Sequence, residues 1–405
     1  MGTGKTFVGA EKLYQLNTRV NLVICQKSKI NDWYDHFFDN YKTKMIIYDL
    51  TIKNQLECFI AGDPEDHMII GIINYELAFR RPELLDLRDF TLMLDESSMI
   101  QNENAKRSKF VLKLGENVSN VILLSGTPTG GKYENLWSQL HLLGWNISKK
   151  MYWNQYIEVE YLDNLGFSIP IVTGYKNVDR LKRKMKKYGC QFLKTDEVME
   201  LPDQVFDVNY VDTTKQYQRF RKTGIVKIYG KELVGNTTLS KLLHERELCS
   251  FYNTNKSQKV KDLINSTDEN IVIFYNFNAE LKELKKILRE CDKDYSVING
   301  NDKSGLNMVN YSLNHNYRYI PILLIQYQSG AMGLNLQDFS RRIIFYSLPL
   351  SSELFEQAKK RIHRIGQKSS CFYYILLCKN SVEEKIYQTL LKRKDYTEKL
   401  FERGE

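Results

Sequence analysis

The chain has 405 residues, of which 42% are hydrophobic and 26% charged, and its formal net charge at pH 7 is +9. This composition is typical of a globular protein with room for two or three domains. No apolar run reaches the roughly 18 residues of a membrane-spanning helix, so we expect no membrane association. The positive charge fits either a polyanionic partner or a solvated basic surface.

The positions of the cysteines and histidines bear on disulfides, metal sites and the redox environment. The seven cysteines are scattered without a C-x-x-C pair, and the six histidines are equally dispersed. This arrangement argues against a disulfide framework and a zinc ribbon, so we expect no structural metal. No apolar leader precedes the first motif, and we therefore expect a reducing, cytoplasmic setting.

Short apolar runs with helical stretches between them indicate strands of parallel sheets that are buried on both faces. They predict an α/β fold with two lobes, residues 1–145 and 256–405. Function is then expected at the carboxyl ends of the strands. The predicted strands are 20–26, 67–74, 90–96 and 120–126 in the first lobe, and 270–276, 295–300, 320–330 and 341–350 in the second.

Residues 146–255 differ in composition and carry basic stretches such as "VDRLKRKMKKYG". We interpret this region as a mostly helical insert and connector. Its lysines and arginines could follow a phosphate backbone or simply form a solvated helix face.

The first motif is "MGTGKT", which resembles the end of the phosphate-binding pattern G-x-x-x-x-G-K-[ST]. Backbone N–H groups around Gly2, Thr3 and Gly4 would bind phosphate oxygens, and Lys5 would contact the β- and γ-phosphates. Thr6 would bind Mg²⁺ at the start of a helix whose N-terminus favours an anion. Such a short string is weak evidence and needs a partner motif.

The partner motif is "FTLMLDESS", in which a buried strand ends in Asp95 and Glu96. Asp95 would hold Mg²⁺, and Glu96 would orient or deprotonate the attacking water. The following strand ends in "LLSGTPTGG", where Ser125 and Thr127 could sense the γ-phosphate or bond to the acidic pair. That segment alone could also be an ordinary strand-to-turn exit.

The second lobe contributes "SSELFEQAKKRIHRIGQ", which places Gln357, Arg361 and Arg364 within two predicted helical turns. Arg361 and Arg364 are three residues apart, so we expect them on one helix face. A planar guanidinium can bridge the charge that spreads over phosphate oxygens in a transition state.

Taken together, these motifs resemble those of superfamily-two helicase-type ATPases of the Swi/Snf-like branch, most similarly the compact bacteriophage members. "LVICQKSKINDW" is similar to motif Ia, "IINYE" to motif Ib, "QSGAMGLNLQ" to motif V and "QAKKRIHRIGQ" to motif VI. The resemblance covers nearly the whole chain in the family's order. It implies two RecA-like lobes, with ATP and Mg²⁺ as cofactors and hydrolysis at the interface of the lobes.

The resemblance also implies a nucleic-acid groove that grips phosphates largely without regard to sequence. Its residues would be Lys27, Ser28, Asn74, Ser329, Gly330, Gly333 and Asn335. Three positions depart from the family pattern: Gln26, Ala331, and Ser98 in place of a histidine. The family's first strand and adenine-reading glutamine would precede the loop, so we expect an upstream polypeptide to complete the first lobe.

Three functions remain open from the residues. The chain could be a monomeric ATP-driven translocase on double-stranded DNA, with a role in bacteriophage replication or recombination. It could be a strand-separating helicase. It could also be a DNA-binding accessory subunit with little ATPase activity, because the front of the loop is missing. Together, Lys5, Asp95, Glu96, Arg361 and Arg364 favour an enzyme, because an inactive subunit has no chemical need for all five.

Overall fold

The computed structural model describes residues 4–63, 65, 67–164, 167–192, 200–302, 304–306, 309, 322–330 and 334–401. The chain forms two compact units, one of Met1–Thr195 with Arg393–Glu405 and the other of Asp196–Lys392. The expected connector therefore contributes to both units. Among the described helices, none combines the length and the apolar character needed to cross a membrane.

The first unit contains a sheet of five parallel strands in the order β2-β3-β1-β4-β5. The two strands β1 and β4 are buried almost throughout because helices cover both faces of the sheet. The strands are Val20–Cys25 (β1), Met45–Asp49 (β2), Met68–Asn74 (β3), Phe90–Asp95 (β4) and Val118–Leu124 (β5).

Five helices of the first unit form two layers around this sheet. Side chains of α1 and α2 share one apolar cluster, while those of α3, α4 and α5 share the cluster on the opposite face. A hairpin of Ile157–Asn164 (β6) and Phe167–Tyr175 (β7) follows. The helices are Lys5–Leu16 (α1), Ile30–Tyr41 (α2), Lys53–Ala61 (α3), Tyr75–Ala78 (α4), Lys106–Leu114 (α5), Trp137–Leu142 (α6), Lys149–Tyr156 (α7) and Val178–Lys187 (α8).

The second unit contains six parallel strands in the order β12-β13-β11-β14-β15-β8 and a small antiparallel pair, β9 and β10. The strands are Gln204–Val211 (β8), Ile225–Ile228 (β9), Lys231–Val234 (β10), Ile271–Tyr275 (β11), Tyr295–Ile298 (β12), Ile322–Gln326 (β13), Arg342–Phe345 (β14) and Cys371–Cys378 (β15). The helices are Lys215–Thr223 (α9), Thr238–Cys249 (α10), Thr254–Asn265 (α11), Asn278–Glu290 (α12), Tyr327–Gly330 (α13), Ser352–Lys359 (α14) and Val382–Phe401 (α15), the last of which belongs to the first unit from Arg393 onward.

The expected α/β class with two parallel-sheet lobes is confirmed, and each predicted strand is present in a similar or shorter form. The expectation of a mostly helical connector was wrong, because β6 to β10 lie within it. The basic stretches of this region led us to expect helices and to overlook β8. The β-branched and aromatic residues of β8 pair with β15 at the edge of the second sheet. β2 and β15 also lie outside the predicted strands.

Candidate nucleotide and nucleic-acid sites

The phosphate-loop residues that the structure describes form the start of α1. Gly4 precedes the helix with φ 74°, in the left-handed region that glycine adopts without strain. Its carbonyl accepts a hydrogen bond from the Val8 N–H, so Lys5 and Thr6 lie in the first helical turn. No described side chain caps this N-terminus, and uncapped N–H groups at a helix start can bind an anion. The predicted residues Gly2 and Thr3 lie outside the described part of the chain.

The structure brings the phosphate loop and the acidic pair together at the carboxyl end of β4. Lys5 Nζ lies 3.1 Å from Glu96 Oε1, although the two residues are 91 positions apart. Glu96 itself has φ 52°, a left-handed conformation that is uncommon for a residue with a Cβ atom. Such backbone strain clusters at functional sites, where the surrounding structure holds it in place.

Asp95 is held from two sides. Trp33 Nε1 donates a hydrogen bond of 3.0 Å to Asp95 Oδ2, and the Tyr75 hydroxyl donates one of 3.0 Å to the Asp95 carbonyl oxygen. Burial raises the pKa of the Asp95 carboxyl group, and the Trp33 bond opposes that rise. We did not single out Trp33 or Tyr75 from the sequence, although "INDW" and "IINYE" contain them. Both lie in the segments that resemble motifs Ia and Ib.

The acidic pair fits a hard divalent cation, which prefers carboxylate oxygen ligands. Glu96 Oε2 is buried and has no hydrogen-bond partner among the described residues. Asp95 adds a second carboxylate at the same strand end. Buried polar atoms are normally hydrogen-bonded, so a free acceptor beside a second carboxylate suits a bound cation or water. Asp95 and Thr6 would hold the ion, and the free Glu96 oxygen would face the water.

A buried network joins the acidic segment to the loop after β5. Ser97 Oγ donates to Gln139 Oε1 over 2.8 Å, and Gln139 Nε2 donates to the Pro128 carbonyl oxygen over 2.7 Å. Within that loop, Ser125 Oγ accepts from the Thr127 N–H, while Thr127 Oγ1 is buried without a hydrogen-bond partner among the described residues. The sequence did not reveal Gln139, because a lone glutamine on a short helix carries no pattern.

The predicted nucleic-acid residues of the first unit lie at neighbouring strand ends. Lys27 and Ser28 are exposed in a short 3₁₀ turn after β1, where a phosphate could reach them. Asn74 ends β3, whose register pairs it with Cys25 at the end of β1. Asn74 is buried and donates its amide to Glu76 Oε2 over 3.2 Å, so it supports this edge from below the surface.

The second unit contradicts the expectation that Arg361 and Arg364 share one helix face. Gln357 lies in α14, but the helix ends at Lys359, so Arg361 and Arg364 are not on a helix face. The helix ends there because the Arg361 N–H bonds back to the Ala358 carbonyl oxygen, and the Leu336 N–H captures the Arg361 carbonyl oxygen. The backbone of this turn is thereby hydrogen-bonded to the segment around Leu336 rather than continued as helix.

The two arginines nevertheless meet the other predicted residues of this unit. Arg361 Nη1 lies 3.5 Å from the Leu334 carbonyl oxygen, and Arg364 Nη1 donates to Asn335 Oδ1. Burial lowers the pKa of the Arg364 guanidinium below its usual value, although it stays charged.

The other predicted groups of this unit lie nearby in the chain. Gln357 Oε1 is buried without a hydrogen-bond partner among the described residues. Ser329 is buried in α13, and Gly330 is the last residue of that helix. Gly333 and the variant position Ala331 lie outside the described residues.

Comparison with models of protein families shows the family to which the chain belongs. Residues 1–290 match the SNF2-related domain, and residues 255–366 match the helicase conserved C-terminal domain. The chain belongs to the SNF2-related family. The matched segments include the Lys5–Glu96 contact and the Arg361–Arg364 turn described above.

Individual relatives are distant. An uncharacterized ATP-dependent helicase of Mycoplasma pneumoniae is 23% identical over 98% of this chain and 39% of its own length. SWI/SNF-related matrix-associated actin-dependent regulator of chromatin subfamily A-like protein 1 of Drosophila melanogaster is 21% identical over 99% of this chain and 52% of its own. This chain thus spans about two fifths to half of the length of these two relatives. They are bacterial and animal proteins and give no support to the expected bacteriophage resemblance.

Among solved structures, the Sulfolobus solfataricus SWI2/SNF2 ATPase core in complex with dsDNA is similar over 98% of this chain and 86% of that one. The sequence identity is 19% and the TM-score is 0.41.

Proposed function

We propose that this chain is an ATP-driven translocase that moves along double-stranded DNA. The observation that carries the proposal is the 3.1 Å contact between Lys5 of the phosphate loop and Glu96 of the acidic pair. A lysine at a helix N-terminus beside two carboxylates supplies both parts that phosphoryl transfer requires: positive charge for the phosphates and a group for the water.

Each residue of the first unit has a distinct role in this proposal. When ATP binds, Lys5 exchanges Glu96 for the phosphate oxygens, and the N–H groups of the first turn of α1 hydrogen-bond to them. Glu96 is then released to orient and deprotonate the attacking water. Mg²⁺, held by Asp95 and Thr6, would neutralise charge on the phosphate oxygens.

The second unit would supply the arginines. Arg361 and Arg364 carry guanidinium cations, and burial partly desolvates Arg364, so they would stabilise the negative charge that develops on a phosphoryl group. Hydrolysis would therefore need Arg361 and Arg364 as well as Glu96. Thr127, whose buried hydroxyl lacks a described partner, would report the γ-phosphate to Gln139 and Ser97.

DNA binding would rest on phosphate contacts from both units. Lys27 and Ser28 are exposed at the end of β1, and the turn around Asn335 contributes on the second unit. Such contacts give sequence-independent, salt-sensitive binding, which suits a motor that must move along any sequence.

The decisive experiment measures ATP turnover with and without duplex DNA, together with displacement of a third strand from triplex DNA. We expect duplex-stimulated turnover and third-strand displacement without separation of the duplex. R364A should lose about 10³-fold or more in turnover while it keeps nucleotide binding. R289A, which removes an exposed arginine of α12, is the matched control. Duplex separation would instead identify a strand-separating helicase, and DNA binding without turnover would identify the accessory subunit.

A further inference from the structure

The hairpin of β9 and β10 turns through an exposed tyrosine. Its two turn residues, Tyr229 and Gly230, have φ angles of 46° and 78°, and both central residues of a type I′ turn have such positive values. Asparagine and glycine favour this conformation, whereas a bulky residue in the left-handed region is strained. The Tyr229 ring is 83% exposed, so it gains little packing that would offset the strain. A strained aromatic residue in solvent favours a role for the ring outside the packed core.

Tyr229 is the first member of a row of four aromatic rings. The centroid of its ring lies 6.0 Å from that of Tyr252, and the Tyr252 centroid lies 4.5 Å from that of Phe251. The Phe251 centroid is in turn 6.5 Å from that of Phe277, at an interplanar angle of 73°. Tyr252, Phe251 and Phe277 are half-buried. This aromatic row therefore runs from the exposed tip of the hairpin to the segment after β11.

The far end of the aromatic row is linked to residues that are predicted to contact nucleic acid. Phe277 follows Asn276, whose carbonyl oxygen accepts a hydrogen bond of 3.0 Å from Gln326 Nε2. Gln326 ends β13 directly before α13, the helix that contains Ser329 and Gly330. The aromatic row therefore begins in solvent and leads toward a segment to which the sequence assigns phosphate contacts.

The hairpin and the helix before it are strongly basic. Residues 215–234 form α9, β9 and β10, and six of them are lysine or arginine while only Glu232 is acidic. All six basic residues are exposed, and Lys227 and Lys231 flank the turn that carries Tyr229. Glu232 lies opposite Lys227 in the hairpin register, so its charge is balanced locally. Cations beside aromatic rings suit unpaired nucleic acid, because cations bind the phosphates and bases of any sequence stack on the rings.

We infer that the hairpin of β9 and β10, together with the aromatic row, binds unpaired nucleotides of DNA. Bases would stack on Tyr229 and the neighbouring rings, and Lys227 and Lys231 would bind the phosphates on either side. The stacking site stands on the aromatic row and the basic hairpin, whereas its use next to a duplex rests on the proposed function. The substrate would then be duplex DNA that carries a single-stranded segment, such as a tail or a gap, rather than a continuous duplex.

The test compares DNA ligands that differ only in their unpaired bases. The ligands are a blunt duplex, the same duplex with a tail of about eight unpaired thymidines, and the duplex with an equally long tail of abasic sugars. The abasic tail keeps the phosphates but has no base to stack. Fluorescence anisotropy with the full chain, at one salt concentration and with the tail on either strand end in turn, gives the affinities. We expect the thymidine tail to raise affinity about tenfold or more over the blunt duplex, and the abasic tail to raise it far less.

Substitutions of Tyr229 separate stacking from folding. Y229N introduces the residue that a type I′ turn prefers, so the midpoint of thermal unfolding should stay the same or rise. The variant should nevertheless bind the thymidine-tailed and the blunt duplex about equally. Y229W keeps an aromatic ring and should retain the preference for the tail. Y161N makes the same change at an exposed tyrosine of β6, and as the matched control it should also retain the preference.

Equal affinity of the unsubstituted chain for the thymidine and abasic tails would overturn the inference, and so would a tail preference that persists in Y229N. The same preparation is assayed for ATP turnover with the blunt duplex. A tail preference without such turnover would leave the stacking site standing and contradict the proposed function alone. Turnover without a tail preference would overturn the stacking site and leave the proposed function standing.

Discussion

Each unit contains a lysine–glutamate pair, and the two pairs differ in how fully they are enclosed. Lys5 and Glu96 lie 3.1 Å apart with side chains that are 23% and 19% exposed. Lys256 and Glu383 lie 2.5 Å apart with exposures of 0% and 4%. The second Glu383 oxygen accepts from the Cys378 N–H, whereas the second Glu96 oxygen has no partner among the described residues.

This difference in exposure distinguishes a pair that can exchange partners from a pair that only stabilises the fold. A buried pair whose atoms are all satisfied cannot exchange partners without leaving a charge unpaired in a low-dielectric interior. A half-exposed pair with a spare acceptor can open when a phosphate competes for the lysine. The same two residue types therefore predict catalysis in one unit and stability in the other, and single substitutions can test the contrast.

The largest effect should come from E96Q. Loss of the general base should lower DNA-stimulated ATP turnover about 10²–10⁴-fold. Nucleotide affinity should persist or rise, because Lys5 is freed for the phosphates. The midpoint of thermal unfolding should change little, since the pair is partly exposed. E103Q alters another lysine-paired glutamate of the same unit and should retain turnover. Unchanged turnover in E96Q would remove Glu96 from the mechanism.

K256M should instead unfold the chain more easily. It leaves Glu383 buried and unpaired, which costs about 3–5 kcal/mol of unfolding free energy, as urea titration would measure. K261M, which breaks the more exposed pair with Glu290, should cost at most about 1 kcal/mol. The double variant K256M/E383L should recover most of the loss. If K256M and K261M were equally stable, the distinction between the pairs would fail.

W33F tests how the acidic pair is positioned. It removes the Nε1–H bond to Asp95, and a hydrogen bond to a charged group contributes about 1.5–3 kcal/mol. We expect roughly tenfold weaker Mg²⁺-dependent nucleotide binding, measured by calorimetry across a Mg²⁺ series. W137F loses an equivalent bond to the Ile147 carbonyl oxygen and serves as control. Equal Mg²⁺ dependence in both variants would show that Trp33 only fills space.

The cluster of Glu269, Arg341 and Arg342 should stabilise the fold by an amount that depends on pH. Hydrogen bonds from Arg341 and then Arg342 lower the pKa of Glu269 to about 2 from 4.5. The stabilisation is therefore present above pH 4.5 and is lost as the pH falls toward 2. E269Q should lower unfolding free energy at pH 7 by only about 1 kcal/mol, because solvent screens this half-exposed group. Urea titrations at several pH values should show the difference narrowing below pH 4.5, and a constant difference would contradict this origin.

The smallest effect should come from K27A, which removes one exposed cation at the end of β1. The slope of log affinity for duplex DNA against log salt should fall by about one, equally for unrelated sequences. K53A, an exposed lysine on α3, is the control. An unchanged slope would exclude Lys27 from the DNA contact.

Local sequence patterns predicted much of the fold. Continuous apolar runs predicted the strands that lie buried between two helix layers, because a strand that is covered on both faces needs no polar side chains. They failed in two places. β8 lies within 146–255, where basic stretches elsewhere led us to expect helices. The helix α14 ends before Arg361, whose carbonyl oxygen accepts a hydrogen bond from the Leu336 N–H that no local pattern predicts.

By itself, the sequence determined the chemistry that each segment can offer: glycine and lysine at a helix start, two carboxylates at a strand end, and arginines after a glutamine. Residue type and spacing limit these, so they can be read along the chain. Only the tertiary structure decided which groups meet. Long-range contacts such as Lys5 with Glu96, Trp33 with Asp95 and Ser97 with Gln139 arise from sheet order and packing. The order of the strands is likewise a property of the assembled sheet rather than of any segment.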